Sequence, residues 1–261
     1  MCTVLINYDT HPDYRLILAS NRDEFYSRPA RLASFWDESP HVFSGRDLLG
    51  NGTWLGISKS GKIACVTNYR EPHFVTNSKG PSRGSLVSRY LIEDISADDY
   101  LKQLILNGKD YSGFNLIFGR VDKLLYYSNR SESHLQIYPG VHGLSNHLLD
   151  TPWPKVQKGK DLLGRLNGLN NEKLTAALFE ILADRTTYPD SLLPDTGVGL
   201  EMERMLSPVF ISTEIYGTRT STVILIDRNN EVTFIEKTHD ANQKSPFVVN
   251  RTFKINGLNE T

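Results

Sequence analysis

The chain has 261 residues, of which 39% are hydrophobic and 23% charged, and 29 basic against 30 acidic residues leave a formal net charge of −1. A nearly neutral chain without a long block of like charge is not a general nucleic-acid binder or a polybasic membrane ligand. The length excludes a mini-protein that needs disulfides or metals to fold, and no linker, repeat or low-complexity tract divides it. We therefore predict one domain spanning residues 1–261.

Hydrophobic periodicity predicts strands at both ends of the chain and helices between them. The predicted strands are Thr3–Tyr8, Arg15–Ser20, Trp54–Ser58, Lys62–Thr67, Phe114–Phe118, Leu124–Tyr127, Leu135–Tyr138, Val209–Ser212, Thr222–Asp227 and Val232–Lys237. The predicted helices begin after Pro81 and near Ser96 or Asp98, and cover Pro154–Leu166 and Asn171–Ala183. Because strands and helices occur in groups rather than in strict alternation, the predicted fold class is α+β, with stacked sheets and helices outside.

Two cysteines, Cys2 and Cys65, are too few for a disulfide framework, and they favour a reducing compartment. The apolar run from Thr3 to Ile6 is too short for a signal peptide, and no window approaches the ~20 apolar residues of a membrane-spanning helix. These features predict a cytoplasmic protein without a transmembrane segment, and they leave the oligomeric state open.

Three kinds of functional motif were considered, and the surrounding residues argue against each of them. Residues 56–62 have the spacing of a phosphate loop, but Ile63 replaces the magnesium-binding Ser or Thr, and the stretch is typical of a hairpin. Residues 80–84 match a nucleophile elbow, yet the polar segment 77–79 before them indicates a solvated turn that caps a helix. The seven histidines lack metal-ligand spacing, so no metal site is predicted.

Cys2 is the residue that most suggests chemistry. If Met1 is removed, as is general before a small second residue, the mature chain begins with a cysteine that carries both a thiol and a free α-amine. An α-amine with a pKa of ~7.7–8.0 can accept the thiol proton near neutral pH, so one residue would supply nucleophile and base. The alternative is a small residue that opens an edge strand.

Arg22 and Asp23 end the second predicted strand with charged side chains. If the first two strands pair as a hairpin, this strand end lies beside Cys2. A guanidinium near the sulfur favours the thiolate, and a carboxylate near the α-amine orients it. The alternative is an ordinary surface ion pair at a strand end, which contributes under ~1 kcal/mol.

Several further motifs accompany these residues in a fixed order along nearly the whole chain. They are Met1-Cys2-Thr3, Asn21-Arg22-Asp23-Glu24-Phe25, the stretches 49–56, 67–70, 82–84, 144–146 and 149–156, and Tyr216-Gly217-Thr218-Arg219-Thr220-Ser221-Thr222-Val223. With these motifs the chain resembles the NRDE family, also called the transport and Golgi organisation family, a branch of the N-terminal nucleophile hydrolases. The resemblance implies a four-layer αββα sandwich, which agrees with the order of the predicted elements.

The resemblance also implies a set of site residues. Cysteine members such as bile salt hydrolases and penicillin acylases carry an Arg and an Asp about twenty residues after the nucleophile, which corresponds here to Arg22 and Asp23, although those enzymes do not place the two side by side. Asn68 and Asn146 match the positions that donate to the oxyanion of the tetrahedral intermediate. Arg219 matches a late arginine that closes the site around Asp23 and Cys2.

Other interpretations of these side chains remain open. Each asparagine could be a turn residue that satisfies local backbone groups. Cys65 is expected to be a buried, inert thiol, and Trp36, Trp54 and Trp153 are expected in the core, where they could also line an apolar pocket for an acyl chain or a planar ring.

Two functions follow from the same pocket. The first is an amidohydrolase or acyltransferase in which Cys2 attacks a nonpeptide amide or thioester and forms an acyl-enzyme, a reaction that needs no cofactor. The second is a binding and trafficking protein for haem or an acyl lipid, as the resemblance implies, without turnover. In both, the partner is a small molecule rather than a nucleic acid.

Overall fold

The computed structural model describes residues 2–72, 80–131, 134–239 and 245–256. Met1 and the polar segment 77–79 lie outside the described residues. The strands are β1 Cys2–Tyr8, β2 Tyr14–Phe25, β3 Ala30–Trp36, β4 Ser39–Asp47, β5 Leu55–Ser58, β6 Lys62–Asn68, β7 Phe114–Arg120, β8 Lys123–Ser128, β9 His134–Ile137, β10 Gly140–Leu144, β11 Tyr216–Asp227, β12 Glu231–Thr238 and β13 Phe247–Lys254. The α-helices are α1 Gly84–Ile92, α2 Ala97–Asn107, α3 Pro154–Gly164, α4 Asn171–Leu182 and α5 Leu200–Met205.

The strands form two antiparallel sheets. The first sheet has the order β10-β1-β2-β11-β12-β13, and the second has the order β3-β4-β5-β6-β7-β8-β9. The first sheet joins both ends of the described chain, because β1 and β2 pair with each other and β2 pairs with β11. The amino-terminal strand therefore lies inside a sheet, between β10 and β2.

Three buried clusters show how the layers pack. One cluster joins the two sheets and contains Val4 and Ile6 of β1. A second places α1 and α2 against the outer face of the seven-stranded sheet. A third places α3 and α4 against the outer face of the six-stranded sheet and contains Leu5. Because side chains alternate between the faces of a strand, β1 contributes to two cores, and the predicted four-layer αββα sandwich is confirmed.

Two helices begin where the sequence predicts a helix start. Ser96 caps α2 by accepting a hydrogen bond from the amide of Asp99, and Pro154 begins α3. None of the described helices is both long enough and apolar enough to cross a membrane.

Two local expectations are corrected by the structure. Val209–Ser212 is not a strand: within this stretch only Ser212 makes a bridge, to Gly217, and the apolar side chains are buried beside the first sheet. The second strand continues beyond Ser20 through Phe25, because neighbouring strands and helices bury the polar residues at its end.

The loop before β5 lies directly against the start of α1. Gly52 is buried there, and the Thr53 amide donates to the Gly84 carbonyl at 3.2 Å. A methyl group at Gly52 would overlap the backbone of Gly84, so only glycine allows this approach.

We expect Gly52→Ala to lower the free energy of unfolding by about 1–3 kcal/mol, because fixed backbone must shift to admit the methyl group. The matched control is Gly164→Ala, where the new methyl group would meet Val141 at 3.9 Å, an ordinary contact. Urea unfolding of both variants measures the difference. Equal stabilities for the two variants would contradict close packing between the loop and α1.

Candidate active site

The pairing of β1 with β2 brings Cys2 directly opposite Arg22. Directly opposed residues on antiparallel strands present their side chains on the same face of the sheet. That face also carries Val4 and Ile6, so it is the face that packs on the second sheet. The backbone amide of Asp23 donates a hydrogen bond to the sulfur of Cys2, which fixes the thiol at the end of β2.

Arg22 is buried between the two sheets in a network of charges. Its Nη2 contacts Oδ2 of Asp47 at 3.0 Å, and its guanidinium lies 4.2 Å from the ring centre of Trp54. Arg28 contacts the same Asp47 oxygen at 2.6 Å and Glu24 at 3.7 Å. Asp47 therefore joins two arginines next to Cys2.

Asp47 also determines the shape of the following loop. Its Oδ1 accepts hydrogen bonds from the amides of Leu49 and Gly50, and Asn51 adopts a left-handed backbone conformation with φ of 53°. Burial alone would raise the pKa of Asp47, but the hydrogen bonds from Arg28 and Gly50 and the charges of both arginines lower it. This carboxylate remains ionised near neutral pH.

Asp23 belongs to the opposite face of the sheet from Arg22, because adjacent strand residues alternate. Its Oδ1 accepts a hydrogen bond from the Thr218 hydroxyl at 2.7 Å, and the Tyr216 hydroxyl donates to its backbone carbonyl at 2.9 Å. Burial raises the pKa of the Asp23 carboxyl, whereas the positive charge of Lys155 and the Thr218 hydrogen bond oppose that rise. Arg22 and Asp23 are adjacent in sequence, but their side chains lie on opposite faces of the first sheet.

Lys155 is a buried amine on the helix side of the first sheet. It lies in the first turn of α3, and its Nζ donates to the carbonyls of Leu206 at 2.9 Å and Pro208 at 3.4 Å. Burial lowers the pKa of Lys155 to about 8; the nearby positive charge of Arg70 acts in the same direction, while Asp23 and Cys2 oppose it. The amine of Lys155 therefore acts on the Asp23 carboxylate from the helix side of the sheet, and its charge changes with pH.

A buried ion pair between Arg70 and Glu203 lies in the same region. The Arg70 guanidinium also packs 4.7 Å from the ring centre of Trp153, just before α3. The Arg70 amide donates to the backbone carbonyl of Asn146 at 2.7 Å. Residues from three distant parts of the chain thus meet beyond the end of β6.

The two asparagines of the predicted set lie close together but have different surroundings. Asn68 ends β6 and lies on the wall of the cavity that contains Cys2. Asn146 is fully buried, and its Nδ2 donates to the backbone carbonyl of Asn68 at 2.9 Å. The neighbouring Ser145 hydroxyl donates to the Cys2 carbonyl at 3.3 Å. In this structure Asn146 orients the backbone of Asn68.

Arg219 occupies a β-bulge in β11. The register between β11 and β2 shifts between Thr218 and Thr220, so Arg219 is the inserted residue. Its Nη1 donates to the carbonyls of Phe25, Tyr26 and Arg28, at 3.0, 2.8 and 3.0 Å. These hydrogen bonds hold the turn that leads to Arg28, and the closure around Asp23 and Cys2 that the family resemblance implies stays a prediction.

A cavity of about 110 Å³ opens at Cys2. At ~30 Å³ per water molecule it holds the volume of three to four waters. Cys2, Trp54 and Asn68 line it, and within the described residues its charged lining consists of Arg22, Arg28, Arg83, Asp23, Glu24 and Asp47. The cavity is therefore small and highly charged. Of the three tryptophans, Trp54 belongs to it, and its ring supports Arg22.

The two thiols are free and differ in their environment. Burial raises the pKa of the Cys2 thiol, and the negative charge of the Asp23 side chain acts in the same direction, while the positive charge of Arg22 and the amide of Asp23 oppose the rise. Burial raises the pKa of Cys65 to about 12, and this side chain is packed in the core between the sheets. Within the described chain, no group of three or more His, Cys, Asp or Glu side chains could hold a metal ion.

Sequence analysis missed three residues of this region. Asp47 ends β4, and Glu203 lies in the short helix α5; the sequence predicted neither element. Lys155 was identified only as a member of the motif around Trp153. A charged residue in a helical or strand pattern is normally exposed, so the sequence alone gives no sign of burial. The succession Trp153-Pro154-Lys155 at a helix start was the one available signal.

We expect Cys2 to react with N-ethylmaleimide at least about tenfold faster than Cys65 near neutral pH, because the cavity exposes the first thiol and the core covers the second. Peptide mass spectrometry after short labelling times gives both rates. Denatured protein is the control, in which the two rates should converge. Equal rates in the native protein would contradict the difference in environment.

The buried amine of Lys155 predicts a pH dependence of stability. Its pKa is about 8 in the folded protein against 10.5 normally, so between these pH values the unfolded chain binds more protons and stability rises with pH. Relative to Lys155→Met, the parent should gain roughly 3 kcal/mol across this interval. Urea unfolding of both proteins at several pH values measures the gain.

Lys158→Met is the control for that measurement, because Lys158 lies on the same helix but pairs with Asp184 at the surface. Its stability should follow the parent at every pH. Parallel curves for the parent and Lys155→Met would show that the Lys155 amine titrates normally.

The comparisons with known proteins agree with this fold. The profile of the family described as Transport and Golgi organisation 2 matches residues 1–241. The Transport and Golgi organization protein 2 homolog of Homo sapiens is 41% identical over 258 residues, which cover 91% of this chain and 92% of that protein. The Drosophila melanogaster Transport and Golgi organization protein 2 is 31% identical over 266 residues, with 91% and 92% covered.

Among solved structures, the Caenorhabditis elegans N-acylethanolamine-hydrolyzing acid amidase ortholog superimposes with a TM-score of 0.51 at 13% identity, over 86% of this chain and 92% of that chain. This likeness shows a shared fold, that of the N-terminal nucleophile hydrolases. The matches to the family profile and to both relatives confirm the resemblance inferred from the motifs, and the chain belongs to the Transport and Golgi organisation 2 family.

Proposed function

We propose that Cys2 is the amino-terminal nucleophile of an amidohydrolase or acyltransferase that acts on a nonpeptide amide or thioester. The observation that carries this proposal is the placement of the Cys2 sulfur at a charged cavity that also contains Asn68. A thiol held by a backbone amide at the end of an internal strand is positioned for attack on a bound carbonyl.

The proposed reaction begins after removal of Met1. The α-amine of Cys2 accepts the thiol proton, and the sulfur adds to the substrate carbonyl carbon. Collapse of the tetrahedral intermediate returns the proton to the leaving amine or thiol and leaves a thioester on Cys2. Water or an acceptor amine then attacks that thioester, which releases the acyl group and restores the thiol.

Each polar residue has a separate proposed role. Arg22 supplies positive charge on the side of the sulfur, and Asp23 orients the α-amine from the other side of the sheet. Asn68 donates to the oxyanion, and such a donor typically contributes ~10²–10³ in rate. Asn146 assists by holding the Asn68 backbone, and Arg219 assists by fixing the turn after Phe25.

The solved amidase with the same fold is described as hydrolysing an N-acylethanolamine, and this supports amide chemistry as the first candidate. The relatives are named for transport and Golgi organisation, and this supports a trafficking role as the second candidate, for which haem or an acyl lipid is the ligand that the family resemblance implies. Charged and polar side chains dominate the cavity lining, which suits a polar reacting group better than the apolar face of a porphyrin and favours the enzyme.

We also propose that residues 1–261 form a single domain, since the six-stranded sheet combines strands from both ends of the described chain. Two free thiols are compatible with a reducing, cytoplasmic environment.

The test is a search for an acyl-enzyme. Protein without Met1 is incubated with a panel of amides and acyl thioesters, and intact mass followed by peptide mapping locates any adduct. We expect an adduct and product with the parent, greatly slowed turnover with Cys2→Ser, and neither adduct nor product with Cys2→Ala, because an alcohol is a much weaker nucleophile and a methyl group is none. Cys65→Ala is the control and should retain the adduct.

Haem and acyl-ligand titrations on the same proteins address the second candidate. A carrier should bind with equal affinity in the parent and Cys2→Ala, since the loss of one small side chain removes little contact area. Saturable binding of this kind, together with no adduct or product across the panel, would reject the enzyme. Intact mass that retains Met1 would also count against it, because the thiol would then lack its amine base.

A further inference from the structure

Arg83 differs from the other two arginines of the Cys2 cavity. It lies on the cavity wall immediately before α1, and its Nη1 donates to the backbone carbonyl of Gly113 at 3.1 Å. Arg22 and Arg28 both form ion pairs with Asp47. Among the residues that the structure describes, no carboxylate lies within ion-pair distance of Arg83. The motif Ser82-Arg83-Gly84 thus contributes a cation that no described carboxylate contacts directly, although the charges of Glu24 and Glu71 act on it from a greater distance.

Arg22 adds an unsatisfied donor to the same cavity. The Arg22 side chain is 4% exposed, and its Nη2 donates to Asp47. Its Nη1 is fully buried and has no hydrogen-bond partner among the described residues. A buried guanidinium nitrogen without an acceptor costs free energy, and a ligand oxygen would satisfy it. This observation is independent of Arg83 and indicates the same type of ligand.

The start of α1 reinforces the positive character of this wall. Gly84 begins a nine-residue helix, the first turn of which contains no acidic residue and receives no side-chain cap. Backbone amides at a helix amino terminus favour a nearby anion.

The charges around the cavity indicate how much negative charge it can bind. Its described lining contains three arginines and three carboxylates. Two of the carboxylates, Asp47 and Glu24, already face Arg22 and Arg28, and Asp23 bonds to Thr218. The remaining cation is Arg83, so a singly charged group is matched better than a dianion.

We propose that this cavity binds a carboxylate next to the scissile acyl bond of the substrate, and that Arg83 and Nη1 of Arg22 hold this carboxylate. Because Cys2, Arg22 and Arg83 line the same cavity, an anion held by the two arginines lies beside the Cys2 side chain. The substrate class is accordingly an amide or thioester with a carboxylate close to the reacting carbonyl. The reacting group rests on the proposed function, whereas the anion subsite is tested without it.

The experiment compares two alkylating reagents that differ in charge. Iodoacetate carries a carboxylate and iodoacetamide does not, and in both reactions the Cys2 thiolate forms a C–S bond and iodide leaves. Alkylation of Cys2 is followed by peptide mass spectrometry in protein without Met1, and the iodoacetate-to-iodoacetamide rate ratio is compared with that of free glutathione. We expect the ratio at Cys2 to exceed the glutathione ratio about tenfold or more, because charge-assisted hydrogen bonds hold the anionic reagent.

Substitutions assign the effect to Arg83. Arg83→Gln should slow both reagents, because the charge of Arg83 also acts on the Cys2 thiolate, but it should lower the iodoacetate rate about tenfold more than the iodoacetamide rate, while Arg83→Lys should retain part of the preference. Arg89→Gln is the matched control, because Arg89 lies on α1 but pairs with Glu93 at the surface, and it should leave both rates unchanged. Acetate should slow alkylation by iodoacetamide in the parent and not in Arg83→Gln.

Two results would overturn the subsite. One is a ratio at Cys2 equal to that of glutathione. The other is an equal loss of both rates in Arg83→Gln together with no protection of the parent by acetate, since that pattern reports a disturbed thiol rather than a lost anion site. Because neither alkylation requires acyl transfer, a failed search for an acyl-enzyme leaves this test unaffected, and failure here leaves the acyl-enzyme test unaffected.

Discussion

The antiparallel register between β1 and β2 is the constraint on which the site depends. It places Cys2 opposite Arg22 and brings the amide of Asp23 to the sulfur. A shift of one residue would turn Cys2 away from the second sheet and exchange the two buried faces of β1. Such a shift would also move Val4 and Leu5 into each other's cores, so the packing of the sandwich enforces the register that the site requires.

The same alternation explains how Arg22 and Asp23 can be adjacent in sequence without neutralising each other. Arg22 faces Asp47 between the sheets, whereas Asp23 faces Thr218 and the buried Lys155 toward the helices. Cys2 is the first residue of β1. The arginines bound to Asp47 lie on one side of its strand, and the Asp23 carboxylate lies on the other side. Under the proposed function, the two layers that enclose the first sheet therefore act separately on the thiol and on its α-amine base.

The fold class and the central strands could be predicted because they depend on apolar periodicity, which the sequence displays directly. The position of Cys2 beside Arg22 followed from assuming one hairpin. Asp47, Lys155 and Glu203 could not be found in this way, because their importance arises from burial and from partners far away in the chain. Arg219 was identified through a motif, but its contacts depend on a β-bulge, and a β-bulge produces no periodic pattern that the sequence would show.

A buried cation can have two uses, and its partners distinguish them. An arginine with a carboxylate partner is held in place, and exchanging that partner for a ligand would leave a buried charge uncompensated. Arg22 and Arg28 are of this kind through Asp47, and they give the cavity its shape. Within the described residues Arg83 donates to a backbone carbonyl and forms no direct ion pair, so it can bind an incoming anion without breaking one. The selectivity of the cavity therefore depends on Arg83, and its rigidity depends on Asp47.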